Sequence, residues 1–257
     1  MKKSPLVFVY AVICYFTFFA TFLYAIGFVS NVFVPRGIDG PQQTSRLTGL
    51  IIDALLLSVF ALQHSIMARP AFKRRWTRIV PEAAERSTYV LASSLALILV
   101  FAFWQPLGGI IWSVTNRNLV LLLNVISALG WITVLVSTFL IDHFDLFGLR
   151  QGWFALTGEP YRPIGFRTPA FYRLVRHPLY LGFLLAFWAA PTMTVTHLLF
   201  ALLTSGYIFI AVHFEEHDLE AALGPVYKDY RERVPMFVPF LKSFRRQGSG
   251  SVRTVGH

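Results

Sequence analysis

Two things that most chains use freely are scarce in this one. Charged residues make up 14% of the 257 residues, where an ordinary soluble domain holds roughly a quarter. Cysteine occurs once, at Cys14, inside the first apolar stretch. A lone thiol excludes an internal disulfide, a CxxC redox pair and a cysteine-built zinc site, so a metal would need histidines and carboxylates. In place of charge stand 55% hydrophobic residues, gathered into long uncharged stretches, with a mean hydropathy of +0.57. That pattern excludes intrinsic disorder and a coiled coil. It points to an all-α, polytopic membrane helix bundle.

Lys, Arg, Asp and Glu are costly in hydrocarbon, and a helix needs about 20 apolar residues to cross it, so the charges mark the spans. Four runs are expected to be long transmembrane helices: Ser4 to Pro35, Leu47 to Ala68, Ser87 to Asn116 and Asn118 to Ile141. The fifth, Pro178 to Phe214, would make a helix of roughly 55 Å, far longer than a hydrocarbon core of about 30 Å. Pro191-Thr192 interrupts it, which predicts a helical hairpin with a short arm, Leu179 to Ala190, and a longer one, Thr194 to Phe214. The first run lacks a small-residue cleavage site after a short apolar core and is expected to be a retained helix. Residues 1–246 are expected to form one membrane domain, followed by a flexible tail over 247–257.

With the N-terminus inside, twenty Lys and Arg fall on cytoplasmic segments and three, Arg36, Arg46 and Arg117, fall outside. This asymmetry predicts that both termini face the cytoplasm. It also accounts for the formal net charge of +10, so the basic segments are assigned to anionic lipid and not to nucleic acid.

The polar groups then gather at the cytoplasmic side. His64 lies near the inner end of the second helix. Asp142, His143 and Asp145 follow the fourth, Arg176 and His177 open the hairpin, and Glu215 and Glu216 close it. Each alone has an ordinary interfacial role available; eight such groups from four segments suggest a shared pocket mouth. Asp53 shares the face of His64 but lies further out, and either lines a cavity or bonds a neighbouring helix. In Arg176-His177-Pro178-Leu179-Tyr180-Leu181-Gly182, Pro178 suits the first helical position, so His177 precedes a helix N-terminus that attracts an anion such as a carboxylate. Arg176 adds a bidentate carboxylate partner. Tyr180 supplies a polar ring and Gly182 a gap for close approach, while Glu215 and Glu216 suit a ligand with positive charge or hydroxyl donors. Together the two ends describe a pocket for a zwitterion.

The segment Arg-His-Pro-x-Tyr-x-Gly, the apolar hairpin, Glu215-Glu216-x-x-Leu219, Gly224-x-x-Tyr227-x-x-Tyr230 and Arg233-Val234-Pro235-x-x-x-Pro239 resemble the C-terminal signature of the integral-membrane methyltransferases. Isoprenylcysteine carboxyl methyltransferases and phospholipid methyltransferases typify that group. The resemblance covers residues 172 to 239. It implies that S-adenosylmethionine is bound in the cytoplasmic half of the membrane domain, around Tyr172, Arg176, His177, Pro178, Tyr180, Gly182, Glu215 and Glu216. The chain has no Rossmann glycine fingerprint, as fits a membrane enzyme of this kind. Two further stretches, Gln63-His64-Ser65-x-Met67-Ala68-Arg69-Pro70 with Glu85-Arg86-Ser87-x-Tyr89, and Asp142 to Gln151, resemble the bacterial methanethiol S-methyltransferases and, more distantly, the NnrU-type membrane proteins.

That likeness implies methyl transfer to methanethiol, giving dimethyl sulfide, in the bacterial inner membrane with the active site facing the cytoplasm. The carboxyl methyltransferases carry an arginine shortly before the acidic pair; here the stretch reads Ile210-Ala211-Val212-His213-Phe214, which suits a small neutral acceptor. A thiol must be ionised before attack, and the candidate bases are His143, backed by Asp142 or Asp145, and His64. Equally open is a linker whose two acids cap the chain or pair with Arg150. Tyr172, with Trp153 and Phe171, is placed either against the sulfonium or in an interfacial belt. Other acceptors on the same fold, and a haem-binding or regulatory protein using His64, are the alternatives. The expected partners are a small volatile thiol and membrane lipid; no resident metal and no obligate protein partner are evident.

Overall fold

The computed structural model describes residues 3–239, so the tail expected over 247–257 lies outside the described residues. Five helices are long and apolar enough to cross a membrane: α1 (Pro5–Ser30), α2 (Arg46–Ala68), α4 (Glu82–Phe103), α5 (Arg117–Ile141) and α9 (Val195–Leu223). Shorter helices lie between them: α3 (Pro70–Trp76), α6 (His143–Leu146), α7 (Leu149–Thr157), α8 (Pro178–Trp188) and α10 (Pro225–Arg233). Two short strands, β1 (Ile110–Ser113) and β2 (Thr192–Thr194), pair antiparallel. The chain is an integral membrane protein built as a helix bundle.

Helix ends follow local chemistry. Pro5 and Pro178 occupy first-turn positions, where a missing N–H costs nothing. The side chains of Ser45, Asn116 and Thr194 accept from first-turn N–H groups of α2, α5 and α9. The third apolar run departs from expectation. Its helix stops at Phe103 instead of reaching Asn116, because Pro106 cannot continue it and Gly108 and Gly109 both adopt positive φ. The freed segment becomes β1, which pairs with the break between the two arms of the hairpin. The hairpin itself forms as expected, with α8 short and α9 extending past Phe214 to Leu223.

The outer surface is apolar, and the interior combines buried aromatics such as Phe28, Trp104, Trp131 and Phe200 with small residues. Large side chains such as Leu6, Phe16, Leu55, Leu121, Ile132 and Ile210 are exposed to what would be lipid, while the interior holds Ala11, Ser87, Ser94, Ser137, Ala186 and Ala201. Without a hydrophobic drive between helices in lipid, small residues let backbones approach. The tightest approach joins α5 and α8. A Cβ on Gly130 would lie 2.6 Å from the Gly182 carbonyl oxygen, and one on Gly182 would lie 2.7 Å from that of Gly130. The space expected beside Gly182 for a ligand is therefore filled by α5, and Gly182 serves helix packing.

The end of the bundle away from the basic segments is tied down by polar contacts. Asp53, fully buried, accepts from the Gln105 backbone N–H at 2.9 Å, which settles its role as a bond to the chain after α4. Thr196 Oγ1 accepts from Leu107 N at 2.7 Å, and Trp104 donates to the Ile38 carbonyl at 3.1 Å. Asp39 joins Asn31, Thr194 and His197. Burial resists its ionisation, yet the nearby His197 and the hydrogen bonds from Thr194 and Asn31 outweigh that and hold its carboxyl below the usual carboxylate range.

Gly130→Val should cost about 3 kcal/mol by forcing side-chain atoms against the Gly182 backbone, whereas Gly206→Ala, where a Cβ meets nothing within 4 Å, should be neutral. Thermal unfolding in detergent reads both, and equal melting temperatures would refute the packing assignment.

Candidate functional site

At 1.5 Å per residue α9, with its 29 residues, is about 43 Å long against a core of about 30 Å. The excess is about nine residues, Glu215 to Leu223 at the basic end, and it begins with Glu215 and Glu216. Neighbouring residues on a helix point about 100° apart, so the two acids face different surroundings.

Glu216 faces the start of α8. One of its oxygens, Oε1, accepts from Arg176 Nε at 2.6 Å, from Arg176 Nη2 at 2.6 Å and from His177 Nε2 at 3.0 Å. All three side chains are nearly buried, where a carboxylate persists only if paired and hydrogen-bonded. Arg176 does more than neutralise. Its Nη1 donates to the carbonyls of Arg231 and Val234, and the backbone N–H groups of Arg176 and His177 donate to Pro235 and Met236. Tyr230 donates to the Tyr172 carbonyl at 2.6 Å. The segment after α10 is thus strapped onto the start of α8. Arg176, read from the sequence as a bidentate carboxylate partner, and His177, read as preceding the anion-attracting start of α8, both bond Glu216 and this strap.

Glu215 faces the other way and has no basic partner among the described residues. Tyr180 donates to its Oε2 at 3.0 Å, and Tyr172, Tyr89 and Tyr227 lie within electrostatic reach of it. Burial, then the Glu215 charge, pushes the Tyr172 phenol well up, and burial with the nearby Glu216 does the same to Tyr227. The Tyr227 hydroxyl is buried with no hydrogen-bond partner. The result is an unneutralised carboxylate among tyrosines.

His64 joins this cluster from α2. Its ring meets the Tyr89 hydroxyl and Ser93 of α4, and stacks on Phe60. The Tyr207 hydroxyl of α9 bonds Ser65 at 3.1 Å, and both Tyr207 and Tyr89 lie within electrostatic reach of Tyr180. Tyr89 and Tyr207 were not singled out from the sequence. Tyr89 lies one α4 turn beyond Glu85 in the quoted stretch, and Tyr207 is a polar ring inside an apolar run, a signal too common to select.

The second sequence-derived group is held elsewhere. His143 Nδ1 bonds Thr138 Oγ1 at 2.8 Å and its Nε2 bonds the Tyr15 hydroxyl at 2.9 Å, with Phe139 stacked on the ring. Neither Asp142 nor Asp145 hydrogen-bonds the imidazole, which corrects the expectation that a carboxylate backs it. Asp142 instead caps the N–H of Asp145, and Asp145 accepts from Arg150, Gln151 and Tyr161. Burial lowers the His143 imidazole, and Asp142 only partly offsets that through space. The reason is local. Asp142 opens α6, so its carboxylate is drawn to the first free N–H groups. A groove of about 500 Å³ beside this cluster is lined by Tyr15, Phe16, Asp142, Phe144, Arg150 and Trp153. Gly148, at φ +86°, keeps the linker tight, since a Cβ there would lie 2.4 Å from Ser87 Oγ. Among the described residues no group of three or more His, Cys, Asp and Glu is placed to hold a metal ion.

No family model matches the chain, and no solved structure does. Curated proteins do. The chain is 54% identical over 235 residues to a protein of Crocosphaera subtropica named methanethiol S-methyltransferase, covering 91% of this chain and 92% of that one. It is 51% identical over 248 residues to methanethiol S-methyltransferase 2 of Bradyrhizobium diazoefficiens, covering 96% and 95%. It is also 32% identical over 187 residues to nurim of Bos taurus, covering 69% and 71%.

Removing Arg176 leaves Glu216 short of its main counter-charge in a nearly dry site. Arg176→Ala should cost about 3–5 kcal/mol and expose residues 231–239 to protease, with Arg176→Lys intermediate because it keeps charge but not the fork. Limited proteolysis with a melting curve checks this; an intact, equally stable strap would refute it.

Proposed function

The chain belongs to the methanethiol S-methyltransferase family, and from that membership we propose that it transfers a methyl group from S-adenosylmethionine to methanethiol, yielding dimethyl sulfide. The work would be done at the cytoplasmic face of the bacterial inner membrane. The observation that carries this reading is Glu215. It is a carboxylate without a basic partner among the described residues, accepting from Tyr180 and within electrostatic reach of Tyr172, Tyr89 and Tyr227. Aromatic faces and a carboxylate favour a cation in a dry site.

The residues present fit the cofactor. Its chemistry is to offer a methyl group on a positively charged sulfur. Glu215, Tyr180 and Tyr172 suit its positive charge, and the unpartnered Tyr227 hydroxyl offers a further hydrogen bond. The first N–H groups of α8, those of Leu179 and Tyr180, precede the first intrahelical bond, made by Leu181 to His177, and suit a carboxylate. Arg176, His177 and Glu216 act one step back by fixing the start of α8, with Pro178 presetting its first turn. The sidedness is supported by the twenty-to-three division of basic residues, since every group of this site lies at the basic end.

A small neutral acceptor is supported by the stretch Ile210 to Phe214, which holds no arginine to meet a substrate carboxylate. Product and acceptor are both small and apolar enough to pass through lipid, so the site needs no polar conduit.

Headspace gas chromatography on detergent-purified protein given S-adenosylmethionine and methanethiol should show dimethyl sulfide that disappears without cofactor. Calorimetry should show Glu215→Gln weakening cofactor binding by about tenfold or more, equivalent to about 1.4 kcal/mol. Cofactor binding without sulfide formation would mean another acceptor; unchanged binding by Glu215→Gln would remove the carboxylate from the pocket.

A further inference from the structure

The groove between α1 and the α6–α7 linker holds neither Glu215 nor any tyrosine of the cofactor site. Its volume of about 500 Å³ falls in the range of small-ligand sites, roughly 300–1,000 Å³. Its walls are firm. The Ser4 backbone N–H donates to the Ala155 carbonyl at 2.8 Å, and a Cβ on Gly152 would lie 2.7 Å from that of Ala11, so α7 is pressed against the first turns of α1. One wall is a stripe on α1. Phe8, Val12 and Phe16 recur every fourth residue and share a face that runs about 12 Å along the helix from its basic end. Leu149 and Trp153 of α7 face it, and the Phe8 and Trp153 rings meet edge to face with centroids 6.0 Å apart. Phe16 and Trp153 stay 64% and 53% exposed, so the slot opens sideways toward lipid and lies along α1 as an acyl chain does.

The mouth of the slot is polar, and proton counting fixes what each group offers. Thr138 spends its hydroxyl hydrogen on the Leu135 carbonyl at 2.7 Å, so its oxygen accepts from His143 Nδ1 at 2.8 Å. In the neutral ring, which burial favours, Nε2 is then the lone-pair nitrogen, and the Tyr15 hydroxyl donates to it at 2.9 Å. The Tyr15 oxygen is left as an acceptor at the groove. Asp142 spends one carboxylate oxygen on the Asp145 N–H at 3.0 Å; its other oxygen has no hydrogen-bond partner among the described residues. Arg150 donates one N–H to Asp145 at 3.3 Å, and its remaining N–H groups find no acceptor among the described residues. A carboxylate and a phenol oxygen therefore stand beside a guanidinium at the head of an apolar slot. Charge sorts the headgroups that fit. A headgroup with phosphate alone meets Asp142 and Asp145 as well as Arg150. A zwitterion satisfies both signs, its phosphate on Arg150 and its ammonium on Asp142 and Tyr15, with the Tyr15 and Phe144 rings beside the cation. A primary ammonium brings three N–H donors to those acceptors, and a quaternary one brings none.

We propose that this groove binds one aminophospholipid of the leaflet at the basic end. Its phosphoethanolamine head lies at Arg150, Asp142 and Tyr15, and one acyl chain lies along Phe8, Val12 and Phe16. The lipid bridges α1 to the linker after α5. It differs from the anionic lipid assigned to the basic segments in being chosen by a cation as well as by a phosphate, and no step of methyl transfer depends on it.

The test offers full-length protein in detergent equimolar dioleoyl phosphatidylethanolamine, phosphatidylglycerol and phosphatidylcholine, and native mass spectrometry reads the retained lipid. One phosphatidylethanolamine per chain should be retained about tenfold over either competitor. Asp142→Asn keeps an oxygen for the Asp145 N–H and removes the charge, so the preference over phosphatidylcholine should collapse. Arg150→Gln should lower retention of phosphatidylethanolamine and phosphatidylcholine alike, since both bring the same phosphate. A phosphatidylethanolamine with a photoactivatable diazirine midway along one chain should label the peptide holding Phe8 to Phe16 or the one holding Trp153. Leu121→Ala, at a lipid-facing position of α5, should change none of these readings. Equal retention of the three lipids by the wild type overturns the site and leaves general lipid contact only. So does an ethanolamine preference that survives Asp142→Asn, or labelling spread over helices other than α1 and α7. Where a variant fails to fold, the wild-type competition and the photolabel decide the matter.

Discussion

A single carboxylate oxygen, Glu216 Oε1, holds the functional end together. It receives two hydrogens from Arg176 and one from His177, and it does so nearly out of water. Such a cluster is stable only when complete, because a buried charge stripped of its partner has no solvent to fall back on. Completeness fixes the angle between α8 and α9 at the membrane surface. It also leaves the second fork of Arg176 free to hold the carbonyls of Arg231 and Val234. One ion cluster thereby sets a helix pair and a strap together. Glu215, one residue away, stays unneutralised because the helical turn points it elsewhere.

The bundle was legible because lipid imposes so strict a rule. Charges mark the ends of α1, α2 and α5 and the start of the hairpin to within a few residues, while α9 runs nine residues past Phe214, and the length of the fifth run alone predicts its break. What sequence missed in the fold was β1, where an apolar run of uninterrupted character contains Pro106, Gly108 and Gly109 and ends its helix early. Hydropathy does not distinguish a lipid-facing helix from a short apolar ribbon.

The site was legible in part, and the division has a physical cause. Arg176, His177, Tyr180 and the acidic pair, grouped from the sequence, do meet in space, because their partners lie on the same two helix ends. Residues whose role depends on a third helix were not singled out. Tyr89 comes within electrostatic reach of Glu215 only because α4 packs where it does, and Tyr207 meets Ser65 only because α2 lies beside α9. Gly182 looked like room for a ligand because its lack of a side chain says nothing about what fills the space, and α5 fills it. Asp142 and Asp145 looked like partners of His143 because they flank it, but the turn they sit in gives them N–H groups and Arg150 to satisfy first.

The short arm α8 ends at Trp188, after only 11 residues, about half the thickness of a bilayer core. Beyond it the chain runs without helical bonding, and its exposed peptide groups find no partners among acyl chains. They are met by β1 and its flanks: Val114 donates to the Pro191 carbonyl and Trp112 to that of Ala190. β1 precedes β2 in the chain, so during synthesis the receptor for the hairpin tip exists before the tip itself. The ribbon thus supplies the hairpin tip with backbone partners that acyl chains cannot offer, and it does so from a segment that also ends α4.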